Sequence, residues 1–269
     1  ADVEGDASGS GYVSTVADVL RRILTTRTTD PLADPGDLDT SAFTALDAAA
    51  TADVGVVSEG DATLRDTIDL VLQSAGVVAF FERDSRLLAP VQFAGVTGTS
   101  QITLTSAELI DLETLDTQLP VWAVEVKWGK TWRVLTDDQI AAGAITAADR
   151  ARMTQEWRVA RVTDDATLAE HPRADVMTIE TALTDELAAY AEAARQLAIY
   201  KHGHATYRAK AILRGLALDH LDRVTLEYED LRLSGELQPR LGTAGGKDCA
   251  VLMSTEVSRE GSAELVIWG

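Results

Sequence analysis

The C-terminal part of the chain combines one long helical pattern with a series of short β patterns, and this combination most constrains the fold. Thr184 is a candidate N-cap, and Asp185 and Glu186 occupy the first turn, where the helix dipole favours negative charge. We predict a helix over residues 184–203 with one apolar face. Its apolar residues recur at helical spacing: Leu187, Tyr190, Ala191, Ala194, Leu197 and Ala198.

Segments rich in β-branched and aromatic residues follow this helix. Each is bounded by Gly, Pro, Asp or Ser, which favour turns. Strands are predicted over residues 206–213, 223–228, 248–257 and 263–268. Such strands beside one helix are typical of a barrel-like sheet with the helix packed on its flank.

The earlier part of the chain predicts a smaller domain of mixed structure. Residues 1–11 have the composition of a linker or arm. Residues 12–119 then carry helical patterns, a hairpin over residues 77–93 and a strand over residues 101–105. Gly76 stands where a helix C-terminus favours a left-handed residue. We therefore predict an α+β fold with an N-terminal domain over residues 12–119 and a β-rich module over residues 120–269.

Several segments together resemble one family of structural proteins. They are the Ala-rich helix running into Arg195-Gln196-Leu197, the basic strand Tyr207-Arg208-Ala209-Lys210, residues 216–224, the end Leu265-Val266-Ile267-Trp268-Gly269, and upstream residues 63–76. This pattern resembles the phage tail baseplate-hub or tail-tip proteins, relatives of the myophage central hub and of the type VI secretion spike hub.

The resemblance implies a structural role in a virion tail. The hub barrels of such proteins form a ring around the DNA channel, so we expect a homotrimer whose repeated barrels imitate six-fold symmetry. The expected neighbours are the tail-tube end, the tape-measure protein, and spike or fibre proteins. Assembly in the host bacterial cytoplasm and roles in host attachment and DNA ejection would follow.

The charge balance excludes a general DNA-binding surface. The chain has 43 acidic and 24 basic residues and a formal net charge of -19, whereas neutralising phosphates requires Lys and Arg. The excess fits solubility, a salty host, or a surface that must not retain passing DNA. If the barrel surrounds a channel, the acids near its strand ends are candidates for the lining: Asp219, Asp222, Glu227, Glu229 and Asp230.

Aromatic residues concentrate just after Pro120. Trp122, Trp128 and Trp132 are three of the five tryptophans in the chain. Such a group could bind a sugar or a base, but a module core or a subunit interface fits it better. We take the three as candidate interface residues.

No catalytic pattern accompanies these features, so we do not expect an enzyme or a cofactor. The acidic pairs at residues 137–138, 164–165 and 229–230 lie in polar loops. The alternative function is a tail-associated cell-wall glycan hydrolase, which requires one carboxyl group whose pKa is raised by burial.

The sequence gives little support for a metal site and none for an intrachain disulfide. His202 and His204, with His220 as a third ligand, make a sparse metal-ligand set, and we expect no metal site. Cys249, the single cysteine, cannot form an intrachain disulfide and is expected to be a small buried residue. The sequence contains no run of about twenty apolar residues, so we predict no membrane-spanning helix.

Overall fold

The computed structural model describes most of the chain and divides it into six helices and twelve strands. The described residues are 13–26, 31–57, 63–96, 100–105, 107–140, 143, 145–212, 218–227, 242–244, 247–257 and 262–269, with only the main chain at 242–244, 247–249 and 257. The helices are α1 (Val16–Thr25), α2 (Thr40–Ala49), α3 (Leu64–Gln73), α4 (Ala147–Thr154), α5 (Asp165–Glu170) and α6 (Glu186–Tyr200). The strands are β1 (Val77–Phe81), β2 (Leu88–Gln92), β3 (Ile102–Thr105), β4 (Leu109–Gln118), β5 (Val121–Trp128), β6 (Arg158–Thr163), β7 (Asp175–Glu180), β8 (His204–Ile212), β9 (Arg223–Glu227), β10 (Gly242–Ala244), β11 (Lys247–Val257) and β12 (Ser262–Trp268).

The largest sheet is curled into a half-barrel, which confirms the predicted mixed α+β class and the curved sheet. Its strands follow the order β3-β9-β11-β12-β8-β4, with β10 paired to β11. Alternate residues face inwards, because successive side chains of a strand point to opposite faces. The interior side chains include Tyr207, Ala209, Ala211, Leu265 and Ile267, all at most 2% exposed.

A second core lies outside the half-barrel. Strand β5 is central in a three-stranded sheet, pairing antiparallel with β6 and parallel with β7. Helices α1, α2 and α3, the β1–β2 hairpin and α6 share one buried cluster with this sheet, which includes Phe43, Val124 and Val126. No helix within the described ranges is long and apolar enough to cross a membrane.

The long helix forms close to its predicted limits, but its expected packing is wrong. Asp185 caps α6, accepting a hydrogen bond from the main-chain N–H of Ala188. The helix packs on β5 and β6 rather than on the half-barrel. Its buried residues are Ala189, Glu192, Ala193, Gln196 and Leu197. Leu187, predicted to face the sheet, is 78% exposed, and Ala191, Ala194 and Ala198 are also exposed.

The two cores alternate along the chain. Strands β3 and β4 belong to the half-barrel, although residues on both sides of them belong to the second core. The predicted domain boundary after residue 119 coincides with one of these crossings, between β4 and β5. The division into separate domains at that point stays a prediction.

Candidate functional site

An apolar cleft of about 760 Å³ lies where the two cores meet. One wall comes from the second core, where Leu72 of α3 and consecutive residues of β1 line the cleft. The opposite wall comes from the half-barrel and includes Thr206, Met253 and Trp268. Both cores therefore have to be folded and in contact for the cleft to exist.

An aromatic cluster joins the cores beside the cleft. The Trp268 ring lies 5.2 Å from that of Phe93 and 5.8 Å from that of Tyr200, both at steep angles. His204 stacks on Trp268 with ring centroids 4.1 Å apart. Edge-on and offset aromatic pairs of this kind add stability beyond that of burial alone.

His204 is held in its neutral form at this junction. Its Nε2 atom lies 2.6 Å from the carbonyl oxygen of Ile199, and burial lowers its pKa below 6.5. Its Nδ1 atom is buried without a well-aligned hydrogen bond, although the main chain of Gly269 lies near enough to oppose part of this lowering of the pKa.

A buried ion pair clamps α6 to the end of α3 and to the chain after β2. The Arg195 guanidinium donates to Glu192 through Nε at 2.7 Å and through Nη2 at 2.6 Å. Glu192 is only 7% exposed, and it also accepts a hydrogen bond from the Gln196 amide at 2.7 Å. The same guanidinium donates to the carbonyl oxygens of Ala75 and Phe93.

Gly76 makes room for this clamp. Its φ of +57° is the left-handed conformation predicted from the sequence, and a Cβ atom there would lie 2.0 Å from Arg195 Nη2. The sequence did not predict the role of Arg195 in a clamp or the presence of the cleft. Only the Glu-x-x-Arg spacing on α6 and the glycine after α3 hinted at the clamp.

The three candidate interface tryptophans lie in different environments. Trp128 is 5% exposed in the second core, with the Arg158 guanidinium 3.9 Å from its ring centre. Trp122 is partly buried and has Arg161 5.3 Å from its ring centre. Trp132 is 37% exposed. Trp132 thus presents the most apolar surface of the three to a neighbour.

Of the candidate lining acids, two brace a turn. The Asp219 carboxylate accepts a hydrogen bond from the main-chain N–H of Arg83, and Asp222 accepts one from that of Asp219. Burial raises the pKa of Asp222 above its usual value. Glu227 is exposed at the end of β9. Glu229 and Asp230 lie outside the described residues.

The histidines expected to be a weak ligand set are not brought together. His220 packs on Phe80, with ring centroids 5.2 Å apart, whereas His204 stacks on Trp268. Across the described ranges, no three His, Cys, Asp or Glu residues are grouped to hold a metal ion. The side chain of Cys249 lies outside the described residues, so its expected burial stays a prediction.

Solved structures of known proteins share this fold. A chain of the virion of a native gene transfer agent particle superposes with a TM-score of 0.55 at 16% identity, over 98% of this chain and 49% of that one. The tail protein from Neisseria meningitidis MC58 superposes with a TM-score of 0.50 at 13% identity, over 95% of this chain and 67% of that one. This chain spans about half the length of the gene transfer agent chain (49%). No family model and no curated protein matches the sequence.

Proposed function

We propose that this chain is a structural component of a phage or phage-like tail tip, forming a baseplate-hub ring that connects the tail tube to the spike or fibre. The observation that carries the proposal is the fold shared over 98% of the chain with a virion protein. The half-barrel is the part that would form the ring around the DNA channel. The predicted domain boundary after residue 119 would leave strands β3 and β4 of the half-barrel in the N-terminal domain, so the two proposed domains would share the ring-forming sheet.

The proposed assembly is a homotrimer in contact with tail-tube, tape-measure and spike or fibre proteins. An apolar surface at Trp132 supports an interface there, because Val134 and Met153 are also exposed, at 45% and 36%. The main-chain N–H of Leu135 donates to the Met153 carbonyl, which brings these segments side by side. Lys130 lies 4.7 Å from the Trp132 ring centre. Tryptophan is among the residues most enriched in interface hot spots.

The oligomeric state tests this proposal. We expect light scattering to give a trimer for the parent chain and a smaller species for Trp132→Ala, since truncating an interface aromatic commonly costs about 2 kcal/mol or more. The matched control is Phe81→Ala, an aromatic 68% exposed on the β1–β2 hairpin. A parent that stays monomeric and degrades peptidoglycan would contradict the hub and favour the glycan hydrolase.

The acidic excess suggests how such a ring would treat DNA. We propose that Glu227, Glu229 and Asp230 contribute to a lumen whose negative charge repels phosphate and prevents adhesion of the genome. Exchanging these three for Lys should slow DNA ejection most at low ionic strength, where screening is weakest. Asp219 and Asp222 belong to the same proposed lining, but they are left unchanged because they brace a turn.

Ejection is measured with particles that carry the exchanged protein in parental amounts. The control exchanges three exposed acids elsewhere, Asp138, Glu170 and Asp175. Equal ejection rates for the parent and the lining variant at low salt would refute the proposed lining.

A further inference from the structure

The hydrogen bonds of the β1–β2 hairpin show which main-chain groups face outwards. The main-chain N–H of Phe93 donates to the Gly76 carbonyl, and that of Glu82 donates to the Leu87 carbonyl. Between these two bonds, every second residue pair of the antiparallel hairpin is therefore hydrogen-bonded. Val78 and Phe80 therefore point their N–H and C=O groups towards β2. Val77, Ala79 and Phe81 point theirs away from β2, towards the free edge of β1.

The outer edge of β2 is already blocked. The Leu88 carbonyl on that edge accepts a hydrogen bond from the main-chain N–H of Asp39. Pro90, which is opposite Ala79, has no N–H to offer. Covering segments and prolines are the usual protection of sheet edges against strand pairing.

The long edge strand β4 is protected in another way. Its register with β8 shifts twice, between Leu109 and Asp111 and between Thr114 and Asp116. At each shift an aspartate carboxylate accepts the next main-chain N–H, from Leu112 and from Thr117. Bulges and local acids of this kind hinder regular strand addition.

Within the described residues, no segment pairs with the edge of β1 at Val77 and Ala79, and this edge opens on the cleft. Val77, Val78 and Ala79 all line it. Successive side chains of a strand point to opposite faces, so three consecutive side chains cannot all point into one cavity. The three residues therefore border the cleft with the main-chain edge of the strand. No described strand other than β2 pairs with β1. The cleft therefore combines unpaired ladder groups with apolar walls.

We propose that the cleft binds an extended segment of a partner protein, which adds to β1 as a third strand. In this mode, main-chain hydrogen bonds give affinity and pockets for alternate side chains give specificity. Phe93, Tyr200, Met253 and Trp268 form the apolar pockets. The segment alternates apolar and polar residues. It also carries a Lys or Arg, because Asp69 is the one charged side chain among the described residues that line the cleft. The Asp69 side chain is 61% exposed, and its carboxylate lies 3.5 Å from Arg65 Nε, which leaves it open to a second cation. This inference goes beyond the tail role and does not depend on it.

A peptide selection against the full chain tests the proposal. The probe is a displayed library of random peptides about nine residues long, enough to span the strand. We expect enriched peptides to show apolar residues at every second position and one Lys or Arg. Their affinity should fall about three- to tenfold for Asp69→Lys, where the charge is reversed at the exposed rim.

Two further measurements use the parent chain, so they do not depend on a variant that folds. N-methylation of the selected peptide at alternate positions facing β1 should weaken binding about tenfold or more, whereas N-methylation at the intervening positions is the matched control with little effect. In hydrogen exchange, the amides of Val77 and Ala79 should exchange freely in the free chain and become protected by peptide. Those of Val78 and Phe80 should be protected in both states.

Three results would overturn the proposal. The first is the absence of any enriched peptide with alternating pattern. The second is binding that tolerates N-methylation at both sets of positions, which would indicate a helix or an apolar small molecule held by side chains alone. The third is unchanged exchange at Val77 and Ala79 when peptide is bound.

Discussion

Replacing Gly76 with Ala should destabilise the chain far more than the same change at another left-handed glycine. At Gly76 the added Cβ atom meets the Arg195 guanidinium at 2.0 Å, and φ is +57°. Gly143 has a φ of +76° but nothing within 4 Å of its Cβ position. The Gly143→Ala variant therefore isolates the conformational cost, roughly 1–2 kcal/mol.

The larger cost at Gly76 comes from the ion pair. To make room, the Arg195 side chain must leave the Glu192 carboxylate, which is only 7% exposed. Breaking a buried pair leaves an uncompensated charge, at roughly 3–5 kcal/mol. The added Cβ atom would also lie 2.7 Å from the Gln196 amide nitrogen that donates to Glu192. With the conformational cost included, we expect a total loss for Gly76→Ala of about 4–7 kcal/mol.

Urea denaturation of four variants measures both terms: Gly76→Ala, Gly143→Ala, Arg195→Met, and the double variant Gly76→Ala/Arg195→Met. With the guanidinium absent, Gly76→Ala should cost markedly less, because only the conformational term of about 1–2 kcal/mol and the displacement of the Gln196 amide remain. Two results would refute this reasoning. One is an equal loss at Gly76 and Gly143, and the other is an unchanged cost of Gly76→Ala in the Arg195→Met background.

Three further predictions concern the core and the aromatic junction. Because burial lowers the pKa of His204, its contribution to stability is complete above about pH 6.5 and is lost as the pH falls through its folded-state pKa. Between about pH 8 and about pH 5.5, the free energy of unfolding should fall more for the parent than for His204→Gln. An equal fall in both would contradict a lowered pKa of His204. Ala193→Leu should overpack the α6 contact by roughly 1–3 kcal/mol, whereas Ala194→Leu should change the unfolding free energy by less than about 0.5 kcal/mol. Trp128→Ala should cost roughly 3–5 kcal/mol in the same assay, and a loss below that of Trp132→Ala would place Trp128 outside the core.

The sequence predicts strands well where one face is buried. Strand β5 alternates with its apolar residues inward, and β8 and β12 do the same in the half-barrel. Strand β4 was not predicted, because nearly all of its ten residues are at least partly exposed and two register shifts interrupt its alternation. Ile110 is 57% exposed and Leu115 40%. Its position depends on pairing with β8, about ninety residues later, which no local pattern encodes.

The face of α6 illustrates why the clamp could not be read from periodicity. Alanine occupies six of its fifteen positions, so more than one stripe satisfies an apolar helical pattern. The predicted face included Leu187 and did not include Glu192. The structure buries Glu192, and a carboxylate can be buried there only because Arg195 and Gln196 donate to it. The face was therefore decided by a polar network whose other anchors, the carbonyls of Ala75 and Phe93, lie about a hundred residues earlier in the chain.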